Sequence, residues 1–381
     1  MKRELGIARC GLACCLCSEN TKCRGCKQDG FLDLDWCKDA EWCVNRKCCI
    51  AKGLDGCWAC PDTACRKGLF AEKIKALGFT EYARRYGTEA LLDRLEANEK
   101  AGIVYHREGI MGDYDEFDSV EELIRFIRTG KRSYQDINAD TIDRWIRNGW
   151  EWGRPISHET FLKAAGGVWD VFLTPTKPVP HAWLGDLKGK KILGLASGGG
   201  QQMPVFAALG ALCTVLDYSP LQLESERLVA EREGYGIRII RGDMTKRLPF
   251  EDGEFDLIFH PVSNCYAEEV RPIWKECFRV LKPGGYLLSG TDHYVNYIVD
   301  GKEERIVNRL PFNPLRNPDQ MEQLEAEDAG VQFSHSLEEQ ICGQLEAGFV
   351  LLALYEDTNG EGRLHDLNIP SFLAMRSGKP A

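Results

Sequence analysis

Cysteine is the residue type that offers most chemistry in this sequence, and it is concentrated near the N-terminus. Thirteen of the 17 cysteines fall at or before position 65. Three Cys-x-x-Cys pairs are among them: Cys14/Cys17, Cys23/Cys26 and Cys57/Cys60. Closely spaced cysteines form either disulfides or thiolate metal sites. The first residues lack the apolar core of a secretion signal, so we expect a reducing compartment, which favours metal over disulfides.

The cysteine spacing predicts tetrahedral thiolate sites. The run Cys14–Cys26 holds two Cys-x-x-Cys pairs, enough for one site. Cys57 and Cys60, with two of the cysteines at 43, 48, 49 and 65, would make a second. The spacing does not match the bacterial ferredoxin run, so we predict zinc, with an iron–sulfur cluster as the alternative. The predicted ligands are Cys10, Cys14, Cys17, Cys23, Cys26, Cys37, Cys43, Cys48, Cys49, Cys57, Cys60 and Cys65.

A second group of candidate residues lies in a glycine-rich turn further along the chain. Ser197-Gly198-Gly199-Gly200-Gln201 follows a short apolar run. Glycines allow a positive φ and a close approach of the backbone to a ligand, and a following helix N-terminus points N–H groups at it. Enzymes that bind NAD, FAD or S-adenosylmethionine (SAM) share such a turn. No Gly-Lys-Ser/Thr follows, which excludes a P-loop.

Acidic residues end two further apolar runs. Asp217 can accept both ribose hydroxyls of an adenosyl group, a device that NAD enzymes also use. Asp243 can bond an adenine amino group, and Met244 can pack on the face of the ring. The combination of these two acids with the glycine turn favours SAM.

The elements that must position these residues alternate along the chain. The predicted strands are Ile192–Ala196, Ala211–Asp217, Ile237–Arg241, Phe255–Phe259, Tyr286–Ser289, Phe349–Tyr355 and Ser371–Met375. Helical stretches lie between them, for example Leu221–Glu233 and Val270–Leu281. This alternation predicts an α/β fold with a mostly parallel sheet, helices on both faces and right-handed crossovers.

On these motifs, residues 140–377 resemble the class I SAM-dependent methyltransferases of the small-molecule type. The matching positions are Gly198, Gly200, Asp217, Asp243, Met244, Phe255–Phe259 and Leu281–Gly285. The resemblance implies SAM as the cofactor and a Rossmann-like sheet of seven strands in the order 3-2-1-4-5-7-6, with strand 7 antiparallel. The cofactor contacts that we predict are Ala196, Ser197, Gly198, Gly200, Gln201, Asp217, Tyr218, Ser219, Asp243, Met244 and His260.

Two positions depart from that family's pattern. Gly194 stands where the family usually has an acid, and Ala196 stands in place of the first loop glycine. We expect Ser197 or Gln201 to supply a polar contact instead.

Methyl transfer from a sulfonium is an in-line displacement, so the enzyme mainly aligns the reactants and excludes water. A base is needed only when the acceptor keeps a proton. His260 could be that base or could bond a backbone carbonyl, and Tyr266 could offer its π-face to the methyl group or simply form a pocket wall. The predicted catalytic residues are His260, Tyr266 and His293.

An insertion over residues 292–343 is predicted to form a lid over the acceptor. Its position in the chain makes four residues further candidates for the acceptor site: His293, Tyr294, Asn296 and His335.

The predicted domains are a cysteine-rich metal-binding module over residues 1–68, a helical extension and linker over 69–137, and a methyltransferase domain over 138–381. Residues 6–100, with the motifs Cys10–Cys14 and Cys57–Cys65, resemble a small cysteine-rich domain family of bacteria and archaea that has no known function and is thought to bind zinc. His106 would be a further ligand or a structural residue. The module would be structural and contact a protein partner, or it would sense metal or redox state.

Charge favours a small acceptor over a nucleic acid. The net charge is −10, and residues 1–68 carry 12 Lys and Arg against 9 Asp and Glu, so the rest of the chain carries −13. The sequence contains no run of 18 apolar residues, so it predicts no membrane span, and we expect a cytoplasmic protein. The sequence therefore predicts a SAM-dependent methyltransferase of a small molecule. The alternatives are a SAM-binding sensor without turnover and a methyltransferase of a thiol-bound metal or metalloid.

Overall fold

The computed structural model describes residues 1–28, 31, 43–71, 73–107, 111–117, 119–131 and 133–381. Within them the chain forms two compact units, Met1–Ser133 and Tyr134–Ala381. The predicted ligand Cys37 lies outside the described residues. No helix in this described part is long and apolar enough to cross a membrane.

The first unit contains four α-helices, which are connected and preceded by short 3-10 turns. The helices are α1 (Val44–Ala51), α2 (Ile74–Tyr86), α3 (Thr88–Lys100) and α4 (Val120–Thr129). The 3-10 turns are Arg3–Leu5, Cys14–Leu16, Ser18–Thr21, Cys57–Ala59, Gly68–Ala71 and Asp113–Asp115. Ser119 begins α4 by accepting the N–H of Glu122 on its hydroxyl, and Gly130 ends it with φ 69°.

The cysteine-rich segment and the helices of the first unit share one core. Phe79, Leu91, Leu95 and Leu123 are fully buried, and Cys15 of the cysteine-rich segment packs with them. This common core means that the segment is held by apolar burial as well as by any ligand its thiols take.

The second unit is built on a seven-stranded mixed sheet in the order β3-β2-β1-β4-β5-β7-β6. Its strands are β1 (Lys191–Leu195), β2 (Leu212–Asp217), β3 (Ile237–Arg241), β4 (Phe255–His260), β5 (Leu281–Asp292), β6 (Val350–Asp357) and β7 (Phe372–Gly378). β7 pairs antiparallel with both β5 and β6, and the other pairs are parallel. The predicted strand order and antiparallel strand 7 are confirmed. β5 is longer than predicted, since it begins at Leu281, which pairs with Phe255.

Helices cover the sheet on both faces. They are α5 (Tyr134–Arg147), α6 (His158–Ala165), α7 (His181–Leu184), α8 (Gln202–Ala208), α9 (Pro220–Glu233), α10 (Arg271–Val280), α11 (Val295–Ile298), α12 (Pro318–Ala326), α13 (Gly343–Ala347) and α14 (Gly362–Asp366), with a π-helical turn at Glu338–Cys342 and 3-10 turns at Glu151–Gly153 and Asn264–Tyr266. Side chains alternate along each strand: Leu257 and Phe259 join the core on one face, and Ile258 joins the core on the other. Strands buried on both faces are typical of a parallel sheet.

Gly290 of β5 explains how the segment before the sheet is placed against it. A Cβ at Gly290 would lie 2.0 Å from the carbonyl oxygen of Leu173. Leu173 is buried, and Thr174 and Pro175 follow it at the edge of a cavity described below. The missing side chain at Gly290 therefore lets this segment pack directly on the backbone of β5.

We predict that Gly290→Ala lowers the free energy of unfolding of the second unit by about 1–3 kcal/mol, because the added methyl group collides with backbone rather than with a flexible side chain. Denaturant unfolding of the full chain checks this. Gly236→Ala is the matched control, since a Cβ there meets nothing within 4 Å. Equal destabilisation by the two substitutions would contradict the packing argument.

Candidate functional site

Two adjoining cavities lie at the carboxyl ends of β1, β2 and β4, on the side where the strand order reverses between β1 and β4. Ligands of open α/β sheets bind at this switch point. The first cavity measures about 110 Å³ and the second about 230 Å³. Residues that line both are Trp150, Ala196, Gln222, Val262 and Tyr266.

Asp217 ends β2 at the edge of the first cavity, and only 8% of its surface is exposed. Its Oδ2 accepts the N–H of Gly198 at 3.0 Å, and its Oδ1 accepts the N–H of Ser219 at 3.0 Å. Burial raises the pKa of Asp217, and these N–H donors oppose that rise. The carboxyl is thereby fixed in place with lone pairs left for a ligand.

Asp243 and Tyr218 also line the first cavity, each tied to a neighbour. Asp243 accepts from the backbone and hydroxyl of Thr245 at 2.8 and 2.7 Å and from Gln135 Nε2 at 3.2 Å. The hydroxyl of Tyr218 donates to Asp136 at 2.9 Å. Both side chains therefore present a fixed surface to the cavity.

Ser219 and Met244 complete the predicted contacts at the first cavity. The hydroxyl of Ser219 donates to Asp143 at 2.6 Å and accepts the N–H of Gln222, so it caps α9. Of the other predicted cofactor residues, Ala196 lines both cavities, whereas Ser197, Gly198 and Gln201 line the second. Gly200 and His260 line neither.

The structure gives a physical reason for both unusual positions of the loop. A Cβ at Gly194 would lie 2.8 Å from Met203 Sδ, so Met203 occupies the space that an acidic side chain would need. Ala196 has φ 46°, which is the left-handed region that glycine prefers. The loop thus keeps a glycine-like backbone at Ala196 at a cost of about 1 kcal/mol.

Glu226 of α9 holds the other end of the glycine loop, and the sequence gives no motif for it. It is fully buried, and its Oε1 accepts the N–H of Gly200 at 2.8 Å. Burial raises the pKa of Glu226 to about 8, with a smaller contribution from Asp217 in the same direction. Glu226 is therefore protonated at neutral pH while it supports the loop.

Gln222 is a second residue that the sequence reasoning missed. It occupies the N3 position of α9 after Ser219, where the Ser-x-x-Gln spacing is typical of a capping box. Its Oε1 nevertheless has no hydrogen-bond partner although the residue is only 8% exposed. Gln222 lines both cavities, so its side chain helps to form the boundary between them, while its Oε1 lies buried beside Gly199.

His260 lies at the end of β4, fully buried. Its Nδ1 is 2.8 Å from the carbonyl oxygen of Leu195, and its Nε2 is 2.7 Å from the side-chain amide of Asn264. Burial lowers the pKa of His260, so the ring is neutral and carries one hydrogen. The Leu195 carbonyl oxygen and the Asn264 Oδ1 both only accept, so the ring donates its one hydrogen to one of these two oxygens. Each ring nitrogen therefore faces an oxygen of the protein.

The remaining acceptor candidates are dispersed. Among them, Tyr266 lines both cavities, and burial raises its pKa well above the usual range. His293 lines neither, and its Nδ1 accepts the N–H of Val295 at 3.2 Å. The ring of His335 is buried against the carbonyl oxygens of Asn264 and Ala267, at 3.2 and 2.9 Å.

Two further candidates from residues 292–343 line neither the first nor the second cavity. Asn296 lines a third cavity of about 280 Å³, which borders the second, and donates to the carbonyl of Ser371 at 3.0 Å. The ring of Tyr294 lies tilted against that of His293, with centroids 4.1 Å apart.

In the first unit, the cysteines that the structure describes are all free of disulfides. Cys48, Cys49, Cys57, Cys60 and Cys65 line a small cavity of about 40 Å³, in which the sulfurs of Cys49 and Cys57 are 3.5 Å apart.

A second group of thiols accepts backbone N–H donors. Gly25 donates to Cys23 Sγ at 3.3 Å, and Arg9 donates to Cys26 Sγ at 3.4 Å. Within the described part of the chain, however, no three His, Cys, Asp or Glu side chains converge on a point that would hold a metal ion. His106 accepts the N–H of Ser18 on Nδ1 at 3.0 Å.

The chain matches known methyltransferases. Residues 193–289 match the model of a family described as a methyltransferase domain. Over 249 residues the chain is 40% identical to the uncharacterized methyltransferase YbaJ of Bacillus subtilis (strain 168), a match that covers 64% of this chain and 97% of that protein. It is 32% identical to the sterol 24-C-methyltransferase erg6 of Aspergillus fumigatus over 32% of this chain and 33% of that protein. A crystal structure of a SAM-dependent methyltransferase from Mesorhizobium loti superposes with a TM-score of 0.44 at 20% identity, covering 52% of this chain and 95% of that one.

We predict that Glu226→Gln changes how stability depends on pH. The pKa of Glu226 rises from 4.5 to about 8 on folding, so between these values the folded state holds a proton that the unfolded state has lost. The free energy of unfolding therefore falls as pH rises through that window. Gln keeps the acceptor for Gly200 and cannot ionise, so the variant should be more stable than the parent by about 4 kcal/mol at pH 8 and by at most about 1 kcal/mol at pH 5.

Denaturant unfolding of the full chain at pH 5, 6.5 and 8 measures this difference. Glu224→Gln, on the same helix and partly exposed beside Arg227, is the matched control and should leave the slope unchanged. The same pH slope in Glu226→Gln and in the parent would show that this carboxyl is not protonated in the folded state.

Proposed function

Because the chain belongs to the class I SAM-dependent methyltransferases, we propose that its second unit transfers the methyl group of SAM to a small molecule held in the second cavity. The observation that carries this proposal is the placement of Asp217, buried at the tip of β2 and fixed by two N–H groups at the edge of the first cavity. The neighbouring second cavity supplies space for an acceptor.

The residues present fit the cofactor. Each carboxylate oxygen of Asp217 accepts one N–H and keeps further lone pairs at the edge of the first cavity, and the ribose hydroxyls of an adenosyl group are donors that suit them. In the proposed assignment, Asp217 takes the ribose hydroxyls, Asp243 faces the adenine amino group and Met244 packs on the ring. Ser197, Gly198 and Gln201 line the part of the second cavity that would take the methionine end, and the aromatic part of the same cavity would take the acceptor.

Bound SAM supplies a methyl group on a positively charged sulfur. The chain then has to align an acceptor with that methyl group and exclude water. Trp150 and Tyr266 border both cavities, so they stand between the cofactor and the acceptor. Their ring faces suit a site that holds positive charge.

We assign His260 a positioning role in place of the predicted base. Its ring joins the end of β4 to the carbonyl of Leu195, the last residue of β1, and lines neither cavity. It would thus hold together the two strands between which the cofactor loop begins. His293, which also lines neither cavity, is not needed in this scheme.

For the first unit we retain the proposal of a thiolate metal site, with zinc ahead of an iron–sulfur cluster. Its support is chemical: five cysteines line one small cavity, and backbone N–H groups point at the sulfurs of Cys23 and Cys26. Burial raises the pKa of Cys14 and Cys57 to about 12, and a bound cation would reverse that shift by stabilising the thiolates.

We predict that Asp217→Asn weakens SAM binding by about tenfold or more, because a charge-assisted hydrogen bond to the ribose is worth roughly 1.5–3 kcal/mol. Isothermal titration of SAM and of its demethylated product into the full chain measures this. Asp366→Asn, an exposed carboxylate on α14, is the control and should bind as the parent does. Unchanged affinity in Asp217→Asn would refute the assignment of the ribose contact.

We also predict that the purified chain contains zinc, and that Cys57→Ser with Cys60→Ser lowers the metal content. Elemental analysis with an ultraviolet–visible spectrum of anaerobically purified protein measures it, with Cys342→Ser in the second unit as the control. A brown chromophore that absorbs at ~400 nm would show that the site holds an iron–sulfur cluster and not zinc. The same metal content in parent and double variant, or none in either, would eliminate the site.

A further inference from the structure

The second cavity is aromatic and carries no charge. Trp150, Trp152, Phe172, Tyr266 and Phe372 supply five rings to its wall. Among the residues that the structure describes, no Asp, Glu, His, Lys or Arg lines it. An acceptor in this cavity therefore meets ring faces, aliphatic groups, amides, hydroxyls and the thiol of Cys265, and no charged side chain among the described residues.

The two titratable groups that do line the cavity are neutral. Burial raises the pKa of the Cys265 thiol and of the Tyr266 phenol well above their usual ranges. Neither can accept a proton from an acceptor at neutral pH. An alcohol, which must lose its proton as it is methylated, would find no base here. A carboxylate would find no Lys, Arg or His among the described residues of the cavity wall to pair with, and it would lose its hydration on entry.

The surroundings of the cavity have the opposite character. Asn359 and Phe372 also line the cavity of about 280 Å³ described above, which we call the acidic mouth. Asp300, Glu303 and Glu327 line it, and no Lys or Arg does so within the described residues. Arg305 lies close enough to Asp300 to interact electrostatically but is not part of the lining. A carboxylate-lined entrance attracts cations and repels anions.

We propose that the acceptor is a small amine with an apolar or aromatic body, methylated at nitrogen. This inference rests on the proposed function, since it takes SAM as the donor. The acidic mouth would collect the amine as an ammonium ion. The ammonium would release its proton to water as it passes from the mouth into the second cavity, because the uncharged cavity disfavours a second positive charge beside the sulfonium.

The transfer then leaves the net charge of the site unchanged. The nitrogen lone pair forms the new N–C bond, the S–C bond breaks, and its electron pair stays on sulfur as a neutral thioether. The positive charge moves from sulfur to nitrogen, so the site holds one positive charge before and after the step. Aromatic faces stabilise such a charge in both positions without a counter-ion. A product that still carries N–H releases a proton to water after it leaves.

The test uses acceptors that share one skeleton and differ in one group. They are N,N-dimethyl-2-phenylethylamine, 2-phenylethanethiol, 2-phenylethanol and 3-phenylpropionate, each incubated with the full chain and SAM. Mass spectrometry detects the methylated product and the demethylated cofactor. We expect methylation of the amine and none of the alcohol or the carboxylate. Faster methylation of the thiol, alcohol or carboxylate, or no methylation of the amine while SAM binds, would overturn the amine proposal.

The same experiment separates this inference from the proposed function. Failure of the chain to bind SAM in the titration would remove the methyltransferase proposal itself. Binding of SAM together with methylation of a different acceptor would refute only the proposal that the acceptor is an amine.

Variants of the mouth and of the rings supply a second readout. Glu327→Gln should lower kcat/KM for the amine about threefold at low salt, with kcat unchanged and the effect fading at high salt, because it weakens long-range attraction. Glu322→Gln, exposed on α12 and outside the mouth, is the matched control. Trp152→Leu should lower kcat more than Trp152→Phe, which keeps a ring. Equal kcat/KM in Glu327→Gln and Glu322→Gln would contradict the role of the acidic mouth. Equal kcat in Trp152→Leu and Trp152→Phe would contradict the role of the aromatic rings.

Discussion

The functional end of the second unit depends on two buried carboxyl groups that hold one loop from opposite sides. Asp217, which is 8% exposed, accepts the N–H of Gly198, and Glu226, which is fully buried, accepts the N–H of Gly200. A loop that must present its backbone to a ligand cannot be held by bulky side chains of its own, so its fixed points have to come from neighbouring elements. β2 and α9 supply them, and the order of the parallel strands puts both elements beside β1.

The sequence was sufficient for the sheet because each strand is a short apolar run that ends in a residue with a visible role. Runs such as Phe255–Phe259 and the acid at Asp217 give the elements and a mostly parallel sheet, whereas the strand order was implied by the resemblance to class I SAM-dependent methyltransferases. β5 was harder, since its first half is the turn-like Lys282-Pro283-Gly284 and only its pairing with β4 shows it to be strand.

The site was only partly accessible to the same reasoning. Residues at strand ends were found, whereas Glu226 and Gln222 sit on a helix face, where an acid or an amide ordinarily meets water or caps a turn. Their roles depend on being buried, which is a tertiary property. His260 illustrates the converse: its position after β4 is typical of a reactive residue, and only the distances to Leu195 and Asn264 show that its nitrogens are already engaged. In the first unit, the spacing of the cysteines in the sequence identifies candidate ligands, but it does not show whether their sulfurs come together at one metal position.

The division of the second unit's site between early and late strands has an evolutionary consequence. Asp217 and Gly198 belong to the first half of the sheet, whereas Asn359 and Phe372 flank the connection between β6 and β7. That connection makes no hydrogen bond to the loop among the described residues. If the acceptor binds in the second cavity as proposed, mutations there can change the acceptor while the contacts to the methyl donor stay intact. Such a layout would let the acceptor specificity of one fold change while the residues that bind the methyl donor stay the same.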